Sequence, residues 1–298
     1  MGKIVFIKLT NNKSLEVILS TLGASIFAFY FDGKIMTVTP RKKKDFYLSN
    51  IYHGKTIGPV CGRIKNGCLS LNDKTFNYPI NEGQNTLHSG ENGLSNQLFD
   101  YEVIKDGIIF RYKNEDAEYL IKYQLVNNSL KVDFEVRPLH PLPLALTNHA
   151  YFSLGDKDIS KLSLKVNASK FIEVNKEDLI PERTKEVPPF LDFRNGRMIE
   201  QDINHPYLQE SRTKGYDHPL LCDDGRAVLE NENYRLTINS DFTSILIYSD
   251  NYPNNVKMIG SNNKTHRGIA IEPQDNQLER KIYQNTYKRF IEYRFEKK

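Results

Sequence analysis

The chain has 298 residues, 39% of them hydrophobic and 11% aromatic, which is enough apolar material for a sizeable core. Its 41 Lys and Arg against 37 Asp and Glu give a net charge of +4, well mixed apart from the basic run at residues 41–44, so a broad nucleic-acid-binding face is not expected. No apolar run approaches the roughly 18 residues of a membrane helix, and the N-terminal stretch at residues 1–6 is too short in its apolar part, and cut by Lys8, to act as a secretion signal.

Strand signals dominate the chain. Residues 4–7 open it. Ser25–Phe31 runs into Asp32-Gly33, a dipeptide that accepts the positive φ angles of a type I′ hairpin turn. Residues 103–105 and 108–110 flank Asp106-Gly107 in the clearest hairpin of the sequence. Residues 119–126 turn at Asn127-Asn128 into 130–136, whose alternation of apolar and charged residues predicts one buried and one wet face. Residues 146–152 follow a corner marked by Pro141 and Pro143 and read as one strand. Alternation puts Asn148, Ala150 and Phe152 on one side and His149 and Tyr151 on the other. The Pro188-Pro189 loop reads as a surface excursion, and residues 204–210 carry the best of a few short helix signals. Leu221-Cys222 reaches Asp224-Gly225 and continues into residues 227–229, a further strand–turn–strand pattern. Residues 243–248, 268–271 and 290–295 complete the strands. With no internal repeat or low-complexity segment, the pattern predicts one all-β domain over residues 1–298, a large antiparallel two-sheet sandwich or barrel. Three cysteines, an odd number without a secretion signal, suit a reducing cytoplasm better than a disulfide framework.

The chemistry-bearing residues are scattered. Glu272 sits at the end of the 268–271 strand on the face shared with Ala270, whose small side chain leaves room beside the carboxylate. Pro273 removes a ladder donor, so the strand is expected to stop there at a rim. Alone, Glu272 reads as a salt-bridged surface residue, His149 as a hydrogen-bonded core histidine, Arg63 as half of a structural ion pair and Asp217 as a turn residue. Tyr151 reads as core, and His53, His140, His205 and His266 as surface or core.

Taken together, several stretches are similar to the aldose 1-epimerase (galactose mutarotase) family. Gly62-Arg63-Ile64, Asn85-Thr86-Leu87-His88-Ser89-Gly90, Thr147-Asn148-His149-Ala150-Tyr151-Phe152, Gly215-Tyr216-Asp217-His218 and the Glu-bearing strand up to Gln274 occur in the family's order. The resemblance implies a large antiparallel β-supersandwich and interconversion of the α and β anomers of free aldoses, with a monosaccharide as the small-molecule partner. It implies Glu272 as general base and His149 as general acid, with His88 near the ring oxygen and Arg63 and Asp217 anchoring hydroxyls. That chemistry suits the residue types. Ring opening needs one proton taken from the anomeric hydroxyl and one given to the ring oxygen, by groups expected on opposite sides of the ring bond, and it needs no metal or other cofactor. The sequence departs from the family at Gly62, where many members carry Asn, and at Ser89 and Ser153. Without Trp, an aromatic platform must be Tyr or Phe, with Phe99 a candidate. Alternative readings are a hexose-6-phosphate 1-epimerase, with Lys65 as a phosphate contact, a non-catalytic carbohydrate-binding protein of the same fold, and a metal site built from His88, His149, Asp217 and Glu272.

Overall fold

A computed structural model describes residues 3–11, 14–252, 255–262 and 264–298, so Met1 and Gly2 of the N-terminal stretch lie outside the described residues. The expected hairpins form where their turn residues allow it. Asp32 and Gly33 both take positive φ, 53° and 75°, and Ser25–Phe31 folds back onto Lys34–Ile35. Asp106, at φ 55°, turns Asp100–Ile104 into Gly107–Lys113. Ala117–Val126 and Ser129–Pro138 pair along their full lengths, and their inward residues Ile121, Tyr123, Val132 and Phe134 are buried.

Two large antiparallel sheets organise the molecule. One has nine strands and runs from Asp100–Ile104, Gly107–Lys113, Ala117–Val126 and Ser129–Pro138 through Tyr287–Lys297 and Tyr234–Ser240 to Arg226–Glu230, Ser163–Val166 and Arg197–Met198, while Ser25–Phe31 and Lys34–Ile35 belong to a smaller four-stranded sheet. The other has six, in the order Tyr151–Phe152, Ile269–Gln274, Ser244–Tyr248, Asp217–Leu221, Lys170–Val174 and Pro181–Glu186. Their facing sides share one core. Ile291, Tyr293 and Leu236 of the larger sheet cluster with Ile269, Ile271, Ile245, Ile247 and Leu220 of the smaller. The period of two then sends Tyr151, Glu272, Leu246, Tyr248 and Asp217 to the opposite side of the six-stranded sheet, which becomes the wall of a cavity. The only α-helices among the described residues are single turns, Glu200–Ile203 and Pro206–Glu210. The second matches the expected helix, and the His205 ring accepts from the Tyr207 amide at its start.

The strand–turn–strand pattern around Asp224-Gly225 is present, and because Asp217–Leu221 belongs to the six-stranded sheet and Arg226–Glu230 to the nine-stranded one, the turn carries the chain from one sheet to the other. Two local expectations are corrected. Residues 146–152 are not one strand. Thr147–Asn148 pairs with Thr56–Ile57, then the chain changes partner and Tyr151–Phe152 pairs with Ile269–Ala270. The alternation of faces survives the break, because Lys55 and Gly54 exchange backbone hydrogen bonds with His149 across it. Finally, Ile269–Gln274 runs straight through Pro273, which lies opposite Ile245. Glu272 is therefore deep in the sheet and not at a rim.

Candidate functional site

The cavity, about 390 Å³, is lined by residues from distant parts of the chain, among them Arg63, His88, His149, Asp217 and Glu272. Its volume falls within the range of about 300–1,000 Å³ usual for small-molecule sites. Cross-strand registry explains its shape. Tyr151, Ala270, Tyr248 and Asp217 lie opposite one another across four neighbouring strands, and Ala270 is the small residue between two tyrosines. Glu272, two residues along the strand and opposite Leu246, projects from the same face.

His149 Nε2 lies 3.2 Å from Glu272 Oε1, and both side chains are buried. The contact is close but off the line of a hydrogen bond, and neither Glu272 Oε1 nor His149 Nδ1 has a hydrogen-bonding partner among the described residues. Burial raises the Glu272 carboxyl well above 4.5 and lowers the His149 imidazole to about 3. Both shifts favour the uncharged forms, an acid proton on the carboxyl beside a neutral imidazole. Moving that proton to the imidazole gives carboxylate and imidazolium without changing the pair's proton count. The imidazole is held in a stack of rings, with Tyr52 on one side at 5.9 Å, Tyr151 on the other at 5.0 Å, and His53 behind Tyr151 at 4.0 Å.

His88 stands edge-on to Tyr52 and His149. It sits in left-handed backbone, φ 56°, followed by Ser89 at 66° and Gly90 at 68°, a run that folds the chain back over the cavity. The Gly62 amide donates to His88 Nδ1 at 3.2 Å, and the His88 amide donates to the Gly62 carbonyl at 3.0 Å. With Nδ1 accepting, and burial holding the ring well below its usual pKa, the neutral ring carries its proton on Nε2 as a donor. Ser89 ties the same loop down by accepting from the Val60 amide and donating to the Val60 carbonyl, both at 2.9 Å.

Arg63 pairs opposite Leu87 in the short ladder Arg63–Ile64 with Thr86–Leu87. Its guanidinium is gripped by both oxygens of Glu82, at 2.7 and 3.2 Å, and reaches Asp217 Oδ2 at 3.3 Å. These two carboxylates raise the Arg63 pKa against the opposing effect of its burial. Asp217 moves up, chiefly because it is buried, with Arg63 opposing. Three of the five guanidinium N–H groups are thus engaged, and two are left for a ligand.

A sequence profile described as aldose 1-epimerase matches residues 6–279. The chain belongs to the aldose 1-epimerase family. Galactose mutarotase of Sus scrofa is 30% identical over 190 residues, 59% of this chain and 53% of that protein. Aldose 1-epimerase of Haemophilus influenzae is 28% identical over 188 residues, 58% of this chain and 54% of that one. The chain thus spans about half the length of the curated relatives it matches. Among solved structures, an aldose epimerase homologue from C. elegans and a galactose 1-epimerase from Lactobacillus acidophilus NCFM each superpose with a TM-score of 0.86. Each match covers 99% of both chains, at 24% and 22% identity. These likenesses establish the galactose mutarotase-like fold.

In this aldose epimerase fold all five residues singled out from the sequence meet in one cavity. Their pairing differs from expectation in one respect: Glu272 and His149 are side by side, not across a ring bond from each other. Other expectations fail. Phe99 packs in the main core against Tyr112, and the aromatic walls are Tyr52, Tyr151, Tyr248 and Tyr252. Tyr151 is both core and wall. Lys65 is exposed and outside the cavity, Ser89 and Ser153 are buried and also outside it, and Gly62 is in its wall. Sequence reasoning missed Glu82, a lone acid in a polar loop with no pattern to mark it. It also missed His53, which lines the cavity with both ring nitrogens unpartnered among the described residues. At the same end Arg267 and Asp250 form a fully buried ion pair at 2.5 Å. No group of three or more His, Cys, Asp or Glu among the described residues is arranged to hold a metal ion.

Proposed function

We propose that this chain is an aldose 1-epimerase that interconverts the α and β anomers of free aldoses of the glucose and galactose type, with residues 1–298 working as one unit. The observation that carries this reading is the buried His149–Glu272 pair at 3.2 Å, set in a cavity beside Arg63, His88 and Asp217. The anomeric oxygen and the ring oxygen of an aldose share one carbon. An acid and a base in contact with each other can therefore address both oxygens at once.

In the reactive form Glu272 is the carboxylate and His149 the imidazolium. Glu272 takes the anomeric hydroxyl proton, the bond between the anomeric carbon and the ring oxygen breaks, and His149 delivers its proton to the ring oxygen. The open aldehyde rotates about its bond to the next carbon. Closure on the other carbonyl face reverses both transfers: Glu272 returns the proton to the new anomeric oxygen and His149 takes back the ring hydroxyl proton. The pair ends as it began, so either anomer is a substrate. Each transfer contributes about 10²- to 10⁴-fold. Arg63 and the Nε2 donor of His88 orient hydroxyl oxygens, Asp217 accepts from hydroxyls, and Tyr52 and Tyr248 exclude water from the face of the ring.

The three cysteines are free, with Cys61 and Cys222 buried and Cys68 exposed, which supports a reducing compartment such as the cytoplasm. Among the described residues no helix is long and apolar enough to cross a membrane. A phosphorylated substrate finds less support. Arg63 is committed to Glu82 and Asp217, and Arg267 to Asp250, which leaves Arg212 at the mouth, 3.9 Å from Glu82. The test is polarimetry of freshly dissolved α-galactose, α-glucose and their 6-phosphates. The protein should speed relaxation of the free sugars to the same final rotation that each reaches alone. Unaltered relaxation of every free sugar would refute the reading.

A further inference from the structure

Gly62 is placed in the cavity wall with φ 74°, in the left-handed region. Its peptide is fixed from several directions. The amide and the carbonyl of Gly62 both bond to His88, and the Arg280 guanidinium donates to the carbonyls on either side, of Cys61 at 2.9 Å and Arg63 at 3.1 Å. A side chain at position 62 would meet Gln277 first. An ideal Cβ built there lies 2.7 Å from the carboxamide carbon, oxygen and nitrogen of Gln277 alike, so the Gln277 amide fills the space that a side chain at 62 would occupy.

Gln277 lies three residues before the clasping Arg280, in the loop that follows the Glu272 strand. Its side chain lines the cavity with Arg63, His88 and Glu272 and is buried, 8% exposed. Its carboxamide nitrogen and oxygen are not among the fully buried polar atoms left without a partner among the described residues; they open to the cavity, where a ligand can use both the donor and the acceptor. The amide lies against Gly62, next in sequence to Arg63, in the same cavity that Arg63 and His88 line.

We propose that Gln277 is a specificity-determining residue. Its carboxamide, admitted by the absence of a side chain at Gly62, hydrogen-bonds one ring hydroxyl of the aldose beside Arg63. The proposal rests on the aldose reading of the cavity and deepens it. Gly62 and Gln277 form a matched pair: one supplies the room and the other the polar contact. A hydroxyl is the chemistry that fits, because a carboxamide both donates and accepts, as a hydroxyl does.

The experiment compares wild type with Gln277→Met, which keeps the length and bulk but has no hydrogen-bonding amide, and with Gln277→Ala. Calorimetric affinity and anomerisation KM are measured for galactose and for its monodeoxy derivatives, after circular dichroism confirms folding. Wild type should lose affinity for one monodeoxy sugar in particular. Gln277→Met should bind galactose about 3- to 10-fold more weakly, the range of one neutral hydrogen bond, should raise KM more than it lowers kcat, and should no longer distinguish that deoxy sugar. Equal affinity and unchanged discrimination in Gln277→Met would show a space-filling side chain and overturn the proposal, while wild-type anomerisation stood. If wild type bound sugar without turnover, the affinities would still decide the role of Gln277 and the catalytic reading alone would fall. Neither binding nor turnover would overturn both.

Discussion

Glu82→Ala takes away the carboxylate that grips Arg63 with two oxygens and leaves the guanidinium to Asp217 alone, at 3.3 Å. A hydrogen bond to a charged group contributes about 1.5–3 kcal/mol, and two are lost. The loss is softened because the two side chains keep 15% and 18% exposure, so water replaces part of the contact, and because Asp217 stays. The expected destabilisation is about 2 kcal/mol, well below the doubled figure, or roughly 3 °C in Tm for a chain of this length. Activity should suffer more than stability suggests. Without Glu82 the Arg63 fork is free to swing toward Asp217, and the two N–H groups left for the sugar lose their aim. The substitution should raise KM by about tenfold with a smaller effect on kcat. Glu82→Gln keeps a carbonyl acceptor for one guanidinium nitrogen and should fall between wild type and Glu82→Ala. Thermal denaturation and anomerisation kinetics on the same preparations measure both effects. A Glu82→Ala protein with wild-type Tm and KM would refute the claim that this acid positions Arg63.

Tyr52→Leu should raise KM several-fold, because Tyr52 covers both His149 and His88 at the cavity wall, whereas Phe99→Leu should lower Tm and leave KM alone; the reverse pattern would restore Phe99 as a platform. Stability should depend on pH through the buried histidines. Burial lowers His53 and His88 well below 6.5, His149 to about 3 and His218 to about 4. The unfolded chain protonates them near pH 6.5, so their contribution is present above about pH 6.5 and is lost as pH falls toward their folded values. Glu272 and Asp217, raised mainly by burial, act in the opposite sense: their contribution is present below about pH 4 and is lost as pH rises through their folded values. The four histidines outnumber the two carboxyls between about pH 5 and 6.5, so the urea midpoint should drop on acidification there. His53→Phe keeps a ring on Tyr151 and should flatten that slope by about one proton, ~1.4 kcal/mol per pH unit; an unchanged slope would show that His53 is not held neutral by the fold.

Much of this was readable from residues, for identifiable reasons. Asp32-Gly33 and Asp106-Gly107 marked hairpins because those residues accept φ angles that most others resist. Asp224-Gly225 carries the same signal but links strands of different sheets, since a left-handed turn fixes local direction but not which sheet the next strand joins. Pro273 misled about where its strand ends. Tyr151–Phe152 pairs only with Ile269 and Ala270, so beyond Ala270 one edge of the central strand has no ladder partner and accommodates a proline. Arg63, His88, His149, Asp217 and Glu272 were legible through ordered motifs. Glu82 and Gln277 act through contacts between distant loops and carry no local pattern. The adjacency of Glu272 and His149 was likewise invisible, because it depends on the partner change at residues 149–150 and the register of the six-stranded sheet.

The central claim is that Glu272 moves the anomeric proton with His149 as its partner. The direct measurement is the rate at which pure α-galactose approaches its equilibrium rotation with wild type and with Glu272→Gln, both shown to be folded and to bind the sugar. The amide keeps the shape of the side chain but has no basic oxygen, and the rate should fall by about 10²- to 10⁴-fold. A Glu272→Gln protein that relaxes galactose at the wild-type rate would contradict the account.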